Sequence, residues 1–275
     1  MRAEEDPVTA RLWQIDAFAD RVFTGNPAAV CLLPRAVPDA WMQQLAEEMN
    51  LSETAFLLPI SAGEFGLRWF TPTTEVDLCG HATLASAWAL GDATLVPHDT
   101  PIRFLTRSGV LTATRSTDGI IALDFPATPV DREGDTVTAA LIRGLGTDQF
   151  EVIGRHDDIL VLLPDAAALR ALRPDMAALA SLEARGIIVT CASDIEGVDF
   201  LSRFFGPAVG VPEDPVTGSA HCTLGPYWAS RLGRPELVGH QASRRGGRVE
   251  VTVNGSRVTL RGRAVPVFRT TIPLP

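Results

Sequence analysis

A cysteine, a glycine and a histidine stand side by side in "DLCGHATLASAW" (77–88), directly before a run of small and apolar residues. A thiol and an imidazole can both move protons, and glycine permits a tight turn. Where such a turn enters a helix, unpaired N–H groups and the helix dipole favour an anion. Cys79, Gly80 and His81 therefore indicate either a capping turn with a buried thiol or a site for a negatively charged ligand.

A related segment, "PEDPVTGSAHCTLGPYW" (212–228), brings a second glycine-containing turn to a second expected helix start. It carries the polar residues Glu213, Asp214, Thr217 and Ser219 around Gly218. Two helix starts of this kind could hold a substrate carboxylate and stabilise negative charge that develops on a neighbouring carbon. The recurrence favours a ligand site over a simple capping turn.

Glu53, in "MNLSETAFLLP" (49–59), is the only carboxylate in the uncharged run from Met49 to Ala62. One interpretation is a turn capped by Asn50 or Ser52, with Glu53 in solvent at its start. The other is a carboxylate beside a buried strand, where partial desolvation would raise its pKa toward the range useful to a general base. The residues alone leave both interpretations open.

The elements that position these groups occur twice in the chain. Four segments of the first half return in the same order in the second half, at offsets near half the chain length. The pairs are "AAVCLLP" (28–34) with "DILVLLP" (158–164), the Pro-Asp pairs at 38–39 and 174–175, "LRWFTP" (67–72) with "SRFFGP" (202–207), and "TLASAW" (83–88) with "TLGPYW" (223–228). We interpret this as an internal duplication, in which Pro72 is equivalent to Pro207 and Trp88 to Trp228.

Each half is expected to be an α+β lobe. A Pro-Asp start predicts an amphipathic helix, and β-branched or alternating segments predict strands. A ligand is then expected in the cleft between the lobes. The Pro-rich, polar segment "PATPVDREGD" (126–135) is the expected boundary, and we divide the chain into an N-terminal lobe (1–127), a C-terminal lobe (128–263) and a C-terminal strand (264–275). The expected strands include "GVLTATRS" (109–116), "IIALDF" (120–125), "RVEVTV" (248–253) and "RVTLRG" (257–262).

Composition restricts the class of protein. The net charge of −9 argues against a nucleic-acid partner, because phosphate binding needs clustered Lys and Arg. The one basic cluster, around Gly246 and Gly247, is interpreted as a turn or at most a local anion contact. No apolar run is long enough for a membrane span, and the acidic segment "MRAEEDPVTA" (1–10) does not resemble a signal peptide. The four cysteines form no CxxC pair, so we expect a reduced cytoplasmic protein without structural zinc, with Cys31 and Cys191 buried in strands.

Taken together, the motifs resemble the PhzF-like family, whose members are related to diaminopimelate epimerase. The resemblance implies two pseudo-symmetric lobes, each a curved β-sheet wrapped around a central helix. It also implies that the C-terminal strand can return to the first lobe. The matching segments are "QIDAFADRVFTGNPAAV" (14–30), "NLSETAF" (50–56), "RWFTPTTEVDLCGHATLASA" (68–87), "EDPVTGSAHC" (213–222) and "QASRRGG" (241–247).

The resemblance further implies a cofactor-independent isomerase, without metal, that moves a proton on a small carboxylate-bearing substrate. Glu53 matches the position of the family's general base. His81 and Asp214 match the positions of the residues that hold and polarise the substrate. The backbone at Gly80, Gly218 and Ser219 takes the place of the groups that contact its carboxylate. A homodimer is expected from the family.

Cys79 departs from the phenazine enzyme proper, which has a small inert residue there, and matches epimerases of this fold that use two thiols. The repeat offset places either Asp214 or Ser219 opposite Cys79, and neither is a thiol. A two-thiol racemase is therefore disfavoured, and Cys79 is assigned to substrate binding. Two alternatives stay open: a one-cysteine epimerase or dehydratase that uses Cys79, and a non-catalytic protein that binds a small ligand.

Overall fold

The computed structural model describes residues 8–131 and 138–275 of this mixed α/β protein. Most of the acidic segment 1–10, and the last part of the expected boundary segment 126–135, lie outside these ranges. The chain forms two compact units. Unit 1 comprises 1–23, 27–123 and 262–275, and unit 2 comprises 24–26 and 124–261. Within the described ranges, every helix is too short or too polar to cross a bilayer.

Unit 1 contains two helices, α1 (Asp39–Met49) and α2 (Gly80–Asp92). Its strands in chain order are β1 (Thr9–Ala17), β2 (Asn26–Leu32), β3 (Glu53–Ser61), β4 (Glu64–Phe70), β5 (Glu75–Val76), β6 (Ile102–Thr106), β7 (Gly109–Arg115) and β8 (Ile121–Pro126); the first residue of β2 and the last three of β8 belong to unit 2.

Unit 2 contains α3 (Ala139–Leu145), α4 (Ala166–Ala171), α5 (Met176–Ala180) and α6 (Gly218–Leu232). Its strands are β9 (Glu151–Arg155), β10 (Asp158–Leu162), β11 (Gly186–Ala192), β12 (Phe200–Gly206), β13 (Val211–Asp214), β14 (Glu236–Gln241), β15 (Gly247–Asn254) and β16 (Arg257–Gly262), whose last residue belongs to unit 1. The final strand, β17 (Ala264–Pro273), belongs to unit 1 and pairs antiparallel with β1.

The strand pairings of the two units follow one pattern. In unit 1, β2 runs parallel to β3, β3 and β4 are antiparallel, and β4 pairs with both β5 and β6 before β6 turns back into β7. In unit 2 the same relations join β10, β11, β12, β13, β14 and β15. The duplication inferred from sequence is therefore present in the pairing of the strands.

Side-chain contacts repeat as well. Arg68 on β4 makes a two-pronged ion pair with Glu75 and lies over the ring of Phe70. Arg203 on β12 makes the same pair with Glu213 and lies over Phe205. The bidentate geometry fixes each guanidinium against its neighbouring strand.

The two longest helices, α2 and α6, pack against strands of their own units. Residues 81–87 of α2 are all buried, and α2 packs against β1, β3, β7 and β17. A helix that is apolar on every side needs such a core position. In unit 2, α6 packs against β14 and β15, and a Cβ on Gly225 would lie 2.8 Å from Val251 Cγ1. Glycine at this position lets the helix approach the sheet closely.

The helix starts correct two expectations drawn from the repeat. Both helices begin with glycine, so the residue equivalent to Cys79 at the N-cap is Thr217, and not Asp214 or Ser219. Counted from these glycines, Trp88 is the ninth residue of α2 and Trp228 the eleventh of α6, so the two are not equivalent. α6 has 15 residues and α2 has 13.

Local sequence explains where the shorter elements begin. Asp39 is the first residue of α1, after Pro38, and Asp175 caps α5 by accepting from the Ala177 and Ala178 N–H groups. The arginine-rich turn joins β14 to β15, as expected, and Arg245 donates to the carbonyls of Gly25 and Thr24. This contact explains why Thr24–Asn26 belong to unit 2, although they lie within the sequence range expected for the first lobe.

Candidate active site

Unit 1 brings together three residues singled out from the sequence. Glu53 is the first residue of β3, Cys79 is the N-cap of α2, and His81 lies in the first turn of that helix. His81 Nε2 lies 3.2 Å from Glu53 Oε2, and Cys79 Sγ lies 3.5 Å from His81 Nδ1. The three side chains therefore form one contiguous cluster of proton-carrying groups.

His81 is neutral in this cluster. Burial lowers the pKa of His81 to about 3, so its contact with Glu53 is a hydrogen bond from a neutral imidazole. The geometry assigns Nε2–H as the donor to the Glu53 carboxylate, which leaves Nδ1 as an acceptor facing the Cys79 thiol. The contact therefore fixes the orientation of the Glu53 carboxylate.

The interpretation of Glu53 as a solvated residue after a capped turn is wrong. Asn50 has φ 48° and is the C-cap of α1, a position where a left-handed asparagine commonly ends a helix. The side chain of Glu53 is only 17% exposed, and Thr54–Leu57 after it are buried. The carboxylate thus stands at the edge of a buried strand, as the alternative interpretation required.

Gly80 is the first residue of α2, and the Cys79 side chain does not cap the helix. The Thr83 hydroxyl donates to the Cys79 carbonyl 2.6 Å away and fixes the turn from the inside. The first-turn N–H groups and the positive helix end therefore lie beside Glu53 and His81, where they can stabilise negative charge on a ligand.

Unit 2 holds the other three sequence-derived residues, Asp214, Gly218 and Ser219. Asp214 ends β13, and its two carboxylate oxygens accept from Asn26 Nδ2 at 2.8 Å and Thr217 Oγ1 at 2.5 Å. Burial raises the pKa of Asp214 to about 6, against these two hydrogen bonds and the charge of Arg185, which lower it. The pKa of Asp214 is thus closer to neutral pH than that of an ordinary aspartate.

Gln241 holds the loop between β13 and α6. Its side-chain oxygen accepts from the Thr217 N–H at 2.9 Å. Its amide nitrogen donates to the Asp214 carbonyl at 2.7 Å and to Thr217 Oγ1 at 3.1 Å. Since Gln241 is fully buried, this one side chain fixes both Asp214 and the start of α6.

Ser219 and the buried Gly218 form the first turn of α6. The Ser219 hydroxyl accepts a 3.0 Å hydrogen bond from Arg185, which also forms a two-pronged pair with the buried Asp158. The Arg185 guanidinium lies over the ring of Phe204. A fixed positive charge therefore stands beside the second helix start.

Sequence reasoning missed Arg185 and the network around Asp214. Asn26, Thr217 and Gln241 lie inside segments that match the PhzF-like family, so a reading of those segments residue by residue could have found them. Arg185 lies in no such segment, and only the register of Asp158 with Gly186 on neighbouring strands places it.

Unit 1 also contains an apolar cavity of about 390 Å³. Its wall includes Leu33, Met42, Phe56, Leu58 and Arg68, and none of Glu53, Cys79 or His81. It lies beside α1, where Phe56 and Met42 share a hydrophobic cluster. We do not assign the proton chemistry to this cavity, because its wall lacks the proton-carrying groups.

His221, in the second turn of α6, gives a prediction about acid stability. Its Nδ1 lies 2.8 Å from the Thr217 carbonyl, and burial lowers the pKa of His221 to about 4. An unfolded histidine titrates near 6.5, so between these values the unfolded chain binds more protons. The stability contributed by neutral His221 is complete above about pH 6.5 and is lost as the pH falls toward 4.

We therefore expect His221→Asn to be less stable at pH 7 but to lose stability less steeply on acidification. Between pH 6 and pH 4.5, the slope of unfolding free energy against pH should fall by about 1.4 kcal/mol per pH unit, the value for one proton. Urea unfolding at a series of pH values measures it. Exposed His98→Asn is the control, and equal slopes for wild type and His221→Asn would contradict the prediction.

Comparisons with known proteins agree on one family. Residues 15–270 match the family model described as phenazine biosynthesis-like protein. An uncharacterized isomerase of Halalkalibacterium halodurans is 48% identical over 267 residues, covering 97% of this chain and 100% of that protein. A PhzF-family phenazine biosynthesis protein of Enterococcus faecalis superposes with a TM-score of 0.90 at 38% identity, covering 97% of this chain and 100% of the other.

A more distant structural similarity concerns the fold alone. A hydroxyproline epimerase from Agrobacterium vitis superposes with a TM-score of 0.62 at 13% identity, covering 100% of this chain and 94% of the other. The mixed α/β fold is thus shared with a protein named as a hydroxyproline epimerase.

Proposed function

The chain belongs to the phenazine biosynthesis-like (PhzC/PhzF) family, and on that premise we propose that it is a cofactor-independent isomerase acting on a small carboxylate-bearing substrate. Glu53 is the general base, and the proton that it removes from one substrate carbon is returned to another. The name of the Halalkalibacterium halodurans relative, an isomerase at 48% identity, supports the reaction class.

The observation that carries the proposal is the contact between Glu53 and His81. A base for a carbon acid must be fixed, partly desolvated and still ionised. Glu53 is 17% exposed, is fixed at the start of β3, and accepts from a neutral imidazole 3.2 Å away. A protonated His81 would lower the basicity of the Glu53 carboxylate by its positive charge, whereas the neutral ring orients the carboxylate without that loss.

In the proposed reaction, the substrate carboxylate lies at the first turn of α2, against the backbone of Gly80 and His81. Removal of the neighbouring proton by Glu53 leaves negative charge delocalised toward that carboxylate. The helix start stabilises this charge, because its N–H groups and dipole are already oriented. Protonated Glu53 then donates to the second carbon, which leaves the enzyme unchanged.

The proposal assigns substrate binding in unit 2 to Asp214 and to the backbone at Gly218 and Ser219. The elevated pKa of Asp214 suits a group that shares a proton with a polar substrate group. The proposal also takes the units as related lobes, each with a curved sheet around its central helix. The repeated strand pairing supports that description.

One observation favours a second candidate, an epimerase or dehydratase in which Cys79 is the base. Cys79 Sγ lies 3.5 Å from His81 Nδ1, close enough for the imidazole to accept its proton. We rank this candidate lower because a neutral His81 of low basicity is a poor partner for forming a thiolate, and because α6 has Thr217 at the equivalent position.

Solvent-deuterium incorporation tests the proposal. Small cyclic and amino-acid-like carboxylic acids are incubated with the protein in D₂O, and exchange at carbon is followed by NMR. We expect enzyme-dependent exchange next to the carboxylate in at least one compound. A hit that exchanges equally with a Glu53→Gln variant would remove Glu53 as the base.

We also propose that the protein is a homodimer, from its family and from the prevalence of two-fold oligomers. Light scattering at micromolar concentration should give about twice the chain mass of 29.5 kDa. A monomeric mass would contradict this.

A further inference from the structure

Glu53, Cys79 and His81 place a carboxylate oxygen, a sulfur and an imidazole nitrogen within 4.8 Å of one another. We propose that these three side chains bind one thiophilic divalent cation, with Zn²⁺ the best match, and that the bound ion inhibits the reaction at Glu53. Only the inhibition rests on the proposed function; the binding follows from the donor atoms alone.

The distances between the donor atoms suit a small tetrahedral ion. Ligand atoms about 2.0–2.3 Å from zinc in tetrahedral geometry stand roughly 3.3–3.8 Å apart. His81 Nε2 is 3.2 Å from Glu53 Oε2 and 4.0 Å from Cys79 Sγ. The Glu53 oxygen and Cys79 Sγ lie within 4.8 Å of each other. Shifts of up to about 1 Å, within the reach of side-chain rotation, would bring all three atoms to coordinating distance.

The donor types select the ion. Sulfur and imidazole ligands favour zinc and its neighbours over Mg²⁺ and Ca²⁺, which prefer sites made of oxygen atoms. Three protein ligands leave a fourth tetrahedral position, which water would fill. The site is therefore expected to distinguish Zn²⁺ and Co²⁺ from Mg²⁺ by its chemistry.

Charge balance permits the ion to enter a largely buried site. Cys79 is 7% exposed and His81 5%, and an uncompensated charge in such surroundings would be costly. On binding, the proton of His81 moves from Nε2 to Nδ1, so that Nε2 presents its lone pair to the ion. The Cys79 thiol releases its proton to solvent and coordinates as thiolate. The thiolate and the Glu53 carboxylate together cancel the charge of the dication, and the neutral imidazole completes the set.

Inhibition follows from the use of Glu53. A carboxylate oxygen that coordinates zinc no longer presents a free lone pair to a substrate proton, and the ion and its water occupy the space in front of the helix start. Zinc would thus act as a reversible inhibitor of the enzyme.

Co²⁺ reports on this site without any substrate. Chelator-treated protein is titrated with Co²⁺, and tetrahedral thiolate coordination is followed by its charge-transfer and visible absorption bands. We expect one Co²⁺ per chain, displaced by Zn²⁺ and not by excess Mg²⁺. Absence of saturable binding, or bands that show six-coordinate cobalt, would overturn the proposal.

Variants locate the ion. Cys79→Ala should abolish the thiolate band, and His81→Asn should weaken binding by more than the roughly 10–100-fold lost with an outer-shell partner of a metal ligand. Cys31→Ala is the matched control, because Cys31 is a fully buried thiol in β2 and should leave the titration unchanged. A thiolate band that survives in Cys79→Ala would place the ion elsewhere and refute the site.

The two proposals fail separately. If Co²⁺ binds as expected but exchange survives in Glu53→Gln, the ion site stands and the assigned base is wrong. If exchange requires Glu53 but no ion binds, the proposed function stands and the ion site is refuted.

Discussion

Glu53→Gln is expected to lower the rate of solvent-deuterium exchange by about 10²–10⁴-fold, the usual contribution of a positioned acid–base group. Glutamine keeps the length of the side chain and can still accept the hydrogen bond from His81 Nε2, so the first turn of α2 should keep its structure. What it removes is the basicity. The substrate identified by exchange is assayed at saturation, so that a loss of turnover is separated from a loss of binding.

Two further variants serve as controls for this result. Cys79→Ala removes a buried thiol at the start of α2 and should cost less than about tenfold, since a base contributes about 10²-fold or more. Glu64→Gln is a second control, because Glu64 opens β4 and pairs with Arg103 at the surface. Exchange that persists in Glu53→Gln and disappears in Cys79→Ala would make the thiol the base and favour the second candidate.

Gln241→Ala is expected to lower the free energy of unfolding by about 2–6 kcal/mol. The substitution leaves the Thr217 N–H and the Asp214 carbonyl without their partner, and each buried unsatisfied polar group costs about 1–3 kcal/mol. The cavity left by the amide adds to the loss. Urea unfolding at neutral pH measures the change, with the m-value showing that the transition remains two-state.

The same network predicts a functional consequence. Gln241 fixes both Asp214 and the start of α6, so Gln241→Ala should also impair exchange at temperatures where the variant is still folded. Gln149→Ala is the control, because Gln149 is exposed and surface changes usually stay within about 0.5 kcal/mol. A loss below about 1 kcal/mol for Gln241→Ala would show that solvent replaces its hydrogen bonds.

Much of the local structure was predictable from the sequence. Residues 109–115 form β7 and residues 257–262 form β16, where β-branched patterns predicted strands. The Pro-Asp pairs precede helices in both units, and Cys31 and Cys191 are buried in strands as expected. These features depend on side-chain shape and on neighbours close in the chain, and such information is carried by short segments.

The repeat was predictable in outline and not in register. Segments of similar sequence identified the two halves, and the strand pairings follow one pattern in both. The equivalence of Trp88 and Trp228 was wrong, and the counterpart of Cys79 is Thr217. Similarity between the sequence segments could not show where each helix begins, because the start of the helix depends on where the preceding strand ends.

The candidate site was likewise predictable only in part. The sequence by itself determined the residue types: an isolated glutamate before a buried strand, and a cysteine, a glycine and a histidine at a helix start. Only the tertiary structure decided that Glu53 contacts His81 and that Arg185 stands beside Ser219. Strand pairing and helix packing join residues far apart in the chain, and the burial that follows makes the imidazole of His81 neutral and the carboxyl group of Asp214 a weaker acid.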